Sequence, residues 1–138
     1  RHEELAGVYT AYGIPLGIAF QLRDDVLGVF GDPSTTGKPA GDDLREGKRT
    51  LVVAETLARS DAADAERFRS LLGAPDLSVE SVEWMCSLIE GSGALAVCEA
   101  LITEYAEESV AALESPELDG TAREPLRQLV VAATSRSH

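Results

Sequence analysis

The sequence predicts an all-α protein, a single helical domain over residues 1–138 with about six helices. Three observations predict it. Apolar residues recur three and four positions apart through most of the chain, the spacing that gives a helix one apolar stripe. No stretch alternates apolar and polar residues with period two for long enough to form a strand. Clusters of Gly and Pro interrupt the pattern and supply the turns between helices.

The elements follow in order. Residues 3–12 are predicted to be helical, and Gly13-Ile14-Pro15 is expected to kink that helix or break it briefly, because Pro15 removes a backbone donor. Residues 17–32, GIAFQLRDDVLGVFGD, contain no Pro and read as helix. Gln21, Asp24, Asp25 and Gly28 share a face there, with Asp32 one turn further on; Phe20, Val26 and Leu27 point elsewhere and are expected to pack. Residues 32–50 hold Pro33, Gly37, Pro39, Gly41 and Gly47 and are predicted to be loop. Residues 49–59 form a core helix with Leu51, Val52, Ala54, Glu55 and Ala58 near one side and Val53 and Leu57 beside them. Residues 64–72 form a short helix with Phe68, Leu71 and Leu72 inward, ended by Gly73-Ala74-Pro75. Ser78 caps the next helix, where Val82, Met85, Cys86 and Ile89 recur at core spacing. Gly91-Ser92-Gly93 breaks the chain before a long helix over residues 94–113. Its apolar stripe is Ala94, Cys98, Leu101, Ile102, Tyr105, Ala112 and Leu113, and Glu99, Glu104, Glu107 and Glu108 form its wet side. Ser115-Pro116 ends it, and residues 121–135 form the last helix with Leu126, Leu129, Val130 and Ala133 inward.

Composition narrows the function classes. A net charge of −12 argues against nucleic acid and against an anionic membrane surface as partners. No apolar run is expected to approach the roughly 20 residues that span a bilayer, and no signal-peptide pattern is present, so a cytoplasmic location is expected. Cys86 and Cys98 have no ligand spacing and no nearby His, which reads as two buried free thiols. His2 and His138 sit at the termini and are given no role.

The candidate chemistry lies on the second predicted helix and the segment after it. Asp24 and Asp25 are adjacent carboxylates, and desolvation sharpens their repulsion. A compensating Mg²⁺ suits them: it is hard, prefers oxygen, and is usually held by one or two carboxylates together with substrate phosphates. For an isolated pair, two Asp residues on a solvated face is the plainer reading, and the following segment argues against it. That segment carries Lys38, Arg45, Lys48 and Arg49, so a metal-bound diphosphate would meet carboxylates on one side and cations on the other. It is not a Walker A loop, since five residues rather than four separate Gly31 from Gly37 and Pro39 follows Lys38. It also lacks the alternating acidic positions of an EF-hand loop.

The run FQLRDDVLGVFGD followed by TGKPAGDDLREGKRTL resembles the second aspartate-rich region of the trans-isoprenyl diphosphate synthases, the polyprenyl synthetase family that includes farnesyl and geranylgeranyl diphosphate synthases. The match is close over residues 13–52 and elsewhere rests on helical character alone. The resemblance implies an all-α bundle of the isoprenoid synthase type and a Mg²⁺-dependent prenyltransferase. It implies that Asp24 binds Mg²⁺, that Asp25 supports it, that Gln21 faces the substrate diphosphate, and that Lys38 and Lys48 contact the allylic diphosphate. The third aspartate of the family motif falls on Gly28, which leaves that place in the metal's outer shell to water or to Asp32. Asp42-Asp43 is the only other Asp pair, and it does not fit a second aspartate-rich motif.

The resemblance further implies that the chain is the C-terminal half of such an enzyme, without the half that carries the first aspartate-rich motif. An absent initiator Met agrees with that expectation, and the half by itself is expected to be inactive. The complete enzyme would condense an allylic diphosphate with isopentenyl diphosphate, as a homodimer or through pairing with the missing half. A non-catalytic subunit that pairs with a catalytic synthase chain is the alternative. A class I terpene cyclase shares the aspartate chemistry, but the T-G-K and G-K-x-T segments resemble the chain-elongating enzymes.

Overall fold

The computed structural model describes residues 2–135, apart from the side chain of Thr35; His138 lies outside the described residues, and His2 is exposed. The described residues are helical, with no strand among them. Eight helical segments follow one another: α1 (His2–Phe30), α2 (Pro33–Thr36), α3 (Asp42–Glu46), α4 (Leu51–Arg59), α5 (Ala62–Leu71), α6 (Val79–Gly91), α7 (Ala94–Ala112) and α8 (Gly120–Thr134). Six of them are the helices expected from periodicity. The other two, α2 and α3, are single turns inside the stretch expected to be loop.

The fold divides into two compact units, one from residues 2–23 and 100–135 and the other from Asp24–Glu99. In the first, Val8 and Tyr12 of α1 form a buried cluster with Leu113, Leu118 and Val130. Tyr12 donates its hydroxyl hydrogen to the Leu126 carbonyl at 2.9 Å, and burial pushes its pKa above the ordinary value. The expected break at Pro15 does not occur: α1 runs through it as one helix. Pro15 cannot donate to the carbonyl of Ala11, and Ala11 is an exposed residue. The next carbonyl, Tyr12 O, accepts the buried Ser109 hydroxyl at 2.7 Å. Two arginines bind carbonyls at helix ends, where the macrodipole favours cations. Arg123 Nε donates to Leu113 O at 2.6 Å, and Arg23 Nε to Thr134 O at 2.8 Å.

In the second unit α4, α5 and α6 pack on one another. Phe68, Leu44, Met85, Ile89, Val52 and Cys98 are fully buried. On α4 the buried side is Val52, Val53 and Thr56, while Ala54 and Ala58, expected on the same side as Val52, are exposed. Thr56 can be buried because its hydroxyl hydrogen-bonds the Val52 carbonyl at 2.7 Å within the helix. Ser78 caps α6 as expected, accepting from Ser81 N. The Arg67 guanidinium lies 4.0 Å from the centre of the Trp84 ring, a cation–π contact from α5 to α6. Cys98 is buried, Cys86 half-buried, and both are free. Burial, and then neighbouring carboxylates, push both thiols above their ordinary pKa.

Besides Ala54 and Ala58, two larger apolar side chains expected to pack are exposed. Phe20 is 41% exposed and Leu129 52%. Both lie beside an apolar stripe, where periodicity alone does not fix which neighbour is covered. By length and average composition α1 is apolar enough to cross a membrane, with a mean hydropathy of 1.3 over its most apolar window. A core helix meets the same criterion.

Two predictions follow from these contacts. Ser109→Ala should cost about 1 kcal/mol of stability in denaturant titration, the usual value of a lost buried hydrogen bond. Asp119 caps α8, and the hydrogen bonds from Thr121 N and Oγ1 hold its carboxyl below its ordinary 3.8. A depressed carboxyl adds stability above its unfolded pKa, and that stability fades as pH falls through the folded value. Helix content should therefore drop more steeply below pH 3.8 in the wild type than in Asp119→Asn, whose side chain caps without titrating; equal slopes in circular dichroism would refute this.

Candidate active site

The site is assembled from the end of α1 and the segment down to Thr50. Asp24 is half-buried and Asp25 buried, on the face that also carries Gly28. Gln21, one turn earlier on α1, is exposed. After α1 the chain turns through Asp32-Pro33, which serves as helix punctuation. The Asp32 carboxylate accepts from Ser34 N at 2.9 Å and Ser34 Oγ at 2.8 Å, and Pro33 opens α2. The Asp32 Oδ1 is thereby engaged in capping α2.

Gly37 ends α2 at φ 73°, where its N–H reaches Pro33 O, and Lys38 follows on the exposed side. Arg45 donates to the Ala40 carbonyl and ties this segment to α3. α3 is one turn, closed by Gly47 at φ 71°, a conformation that favours glycine. Immediately after it Lys48 N donates to Asp43 O at 2.9 Å. Thr50 then caps α4, its hydroxyl accepting from Val53 N at 3.3 Å. The glycines of the T-G-K and G-K-x-T segments, and Thr50 of the second, are thus structural punctuation around the two lysines.

The short turn of α3 places Asp43 and Lys48 side by side. Lys48 Nζ lies 3.6 Å from Asp25 Oδ1 and 3.8 Å from Asp43 Oδ2. Both carboxylates are 7% exposed, while the lysine side chain is 45% exposed. Asp43 Oδ2 has no hydrogen-bond partner. Its pKa is raised, first by burial and then by the charges of Asp25 and Glu46, with Lys48 and Lys38 opposing. Asp42, Asp43 and Glu46 can each turn one oxygen to within 4.8 Å of the others. Of the residues singled out from the sequence, the structure joins Asp25 to Lys48, sets Asp24 beside Asp25 on α1, and leaves Lys38 and Gln21 exposed. Asp43 was not expected here. Its only signals in the sequence are a second Asp pair and the missing side chain at position 28.

The arrangement offers hard oxygen donors beside ammonium groups on a half-open surface. Oxygen donors and ammonium groups are the chemistry that divalent cations and polyanions use. The chain was compared with known proteins. The family model for polyprenyl synthetase matches residues 2–89, and the chain belongs to the polyprenyl synthetase family. It is 40% identical to geranylfarnesyl diphosphate synthase of Aeropyrum pernix over 92% of this chain and 39% of the relative. It is 33% identical to geranylgeranyl diphosphate synthase of Saccharolobus solfataricus over 93% of this chain and 39% of the relative. Among solved structures it resembles geranylgeranyl pyrophosphate synthase of Corynebacterium glutamicum complexed with isoprenyl diphosphate and magnesium. There the TM-score is 0.88 at 41% identity, covering 94% of this chain and 37% of that one. The chain therefore spans about two fifths of the length of the curated relatives it matches.

The local architecture gives a testable consequence. Thr50→Ala removes the α4 cap and should lower stability by about 1 kcal/mol in denaturant titration; Thr50→Ser, which keeps the acceptor, should restore most of it.

Proposed function

We propose that the protein works as a Mg²⁺-dependent trans-prenyl diphosphate synthase. It binds an allylic diphosphate and, within the complete enzyme, condenses it with isopentenyl diphosphate to a longer polyprenyl diphosphate. The observation that carries this reading is the ammonium group of Lys48 beside the buried carboxylate of Asp25, at the mouth of a segment whose other lysine is Lys38. These are the only two lysines of the chain. The relative solved with isoprenyl diphosphate and magnesium supports the same ligand chemistry.

The donor set fits magnesium. Asp24 and Asp25 offer carboxylate oxygens, and Asp43 adds a buried oxygen that lacks a hydrogen bond, so negative charge here exceeds what Lys48 neutralises. Asp24 would hold the ion and Asp25 would support it. Bound magnesium would neutralise charge that collects on the departing diphosphate. Lys38 and Lys48 bind the same diphosphate oxygens through charge-assisted hydrogen bonds, and Gln21 orients the group from the preceding turn of α1. In the reaction the allylic C–O bond breaks and its electron pair leaves with the diphosphate. The double bond of isopentenyl diphosphate forms the new C–C bond, and a proton is lost. The lysines aid this step because their charges already stand where negative charge grows, so little reorganisation is needed.

The test is an assay of the complete protein with isopentenyl diphosphate, an allylic diphosphate and Mg²⁺. Asp24→Ala should reduce turnover by about 10²–10³, the usual range for losing one preorganised electrostatic contact. Turnover at the wild-type rate in that variant would refute the assignment of Asp24, and no polyprenyl product from the unaltered protein would refute the function.

A further inference from the structure

Gly28 stands where the family pattern has its third aspartate, and the structure shows what uses the space. A Cβ placed on Gly28 would lie 2.0 Å from Asp43 Oδ2, 2.3 Å from its Cγ and 2.7 Å from its Oδ1. Real Cβ atoms do not approach that closely, and the whole carboxyl group is involved, so any side chain at position 28 must expel it. Asp43 has little room to move, being 7% exposed, and its backbone carbonyl is tied to Lys48 N. Gly28 near the end of α1 is costly for the helix, where alanine is intrinsically better. Something must offset that cost, and the carboxylate lodged against it is the candidate.

We propose that Gly28 is a cradle for Asp43, and that Asp43 is a positioning residue which, with Asp25, holds the Lys48 ammonium group at the site. Asp43 acts through Lys48: its Oδ2 is 3.8 Å from Nζ, opposite the 3.6 Å contact from Asp25. Two buried acceptors confine a half-exposed ammonium that could otherwise swing into solvent. The purpose of the confined lysine, to meet a diphosphate, rests on the prenyltransferase reading; its confinement does not.

The experiment combines thermal denaturation with side-chain relaxation, both without substrate or metal. Gly28→Ala alone should lower the Tm by about 5 °C. Added to Asp43→Ala it should leave the Tm unchanged or raise it, because the collision is gone and helix propensity improves. Folding of the double variant where Gly28→Ala alone does not fold supports the cradle equally, and an equal loss in both backgrounds overturns it. With ¹³C-labelled lysine the Lys38 and Lys48 signals are identified by their loss in Lys38→Arg and Lys48→Arg. Lys48 Cε should be the more ordered in the wild type and should loosen to the level of Lys38 in Asp43→Asn. It should stay loose in the Gly28→Ala/Asp43→Ala protein even where stability recovers, which a purely structural role would not produce. Lys48 order unchanged by Asp43→Asn overturns the positioning role. Inorganic diphosphate titrated with Mg²⁺ should bind Asp43→Asn about tenfold more weakly, and equal binding also overturns that role. A wild type that binds no diphosphate overturns the prenyltransferase reading and leaves the cradle and the lysine restraint standing.

Discussion

The site depends on one electrostatic arrangement, two buried carboxylates against one half-exposed ammonium. Asp25 comes from a long helix, Asp43 from a single turn, and Lys48 from the residue after that turn's closing glycine. At 3.6 and 3.8 Å the contacts are ion pairs, longer than tight hydrogen bonds. One cation does not balance two buried anions, and the raised pKa of Asp43 reflects this, with burial the first cause and Asp25 among the contributors. Such a place is stable only while the lysine stays or a further cation arrives. On the proposed reading, a divalent ion would relieve that imbalance.

Local rules of the chain create that arrangement. Asp32-Pro33 starts α2 and Gly37 ends it; Gly47 ends α3 and Thr50 starts α4. Each is a capping or left-handed residue whose job is to turn the backbone within a few residues. The family segments T-G-K and G-K-x-T therefore mix two kinds of residue. Glycine and threonine set the path, and lysine carries the charge. Gly28 belongs to neither kind, since it needs no unusual backbone angle and matters for the side chain it lacks.

This division explains what could be read from the sequence. The six longer helices follow from apolar spacing and from caps such as Ser78, which are local properties. Asp24, Asp25, Lys38 and Lys48 stand out because ionisable residues at motif spacing are conspicuous. Pro15 removes one donor without ending the helix; a hydroxyl distant in sequence, Ser109, serves the neighbouring carbonyl. Thr56 and Ser109 look polar and are wholly buried, their hydroxyls satisfied by backbone carbonyls. Phe20 and Leu129 look apolar and are exposed. Asp43 is the sharpest case: an aspartate in a glycine-rich segment reads as solvated, and only the fold reveals it pressed against Gly28.

Charge distribution gives these local facts a larger consequence. The chain carries a net charge of −12, which disfavours the approach of any diphosphate. Four of its twelve lysine and arginine residues, Lys38, Arg45, Lys48 and Arg49, fall within residues 38–49. Screening at physiological ionic strength weakens the distant acidic surface within about 8 Å, whereas charges in contact with a ligand are screened much less. A polyanion at this segment therefore feels the local cations more than the global excess of carboxylates. Those cations are themselves partly neutralised: Arg45 is turned to the Ala40 carbonyl, and Lys48 is held between Asp25 and Asp43. Lysine alone would then grip a diphosphate weakly. On the proposed reading, a divalent ion on Asp24 and Asp25 would offset the carboxylate charge that opposes a diphosphate here, so affinity for metal and for diphosphate should each rise when the other is present.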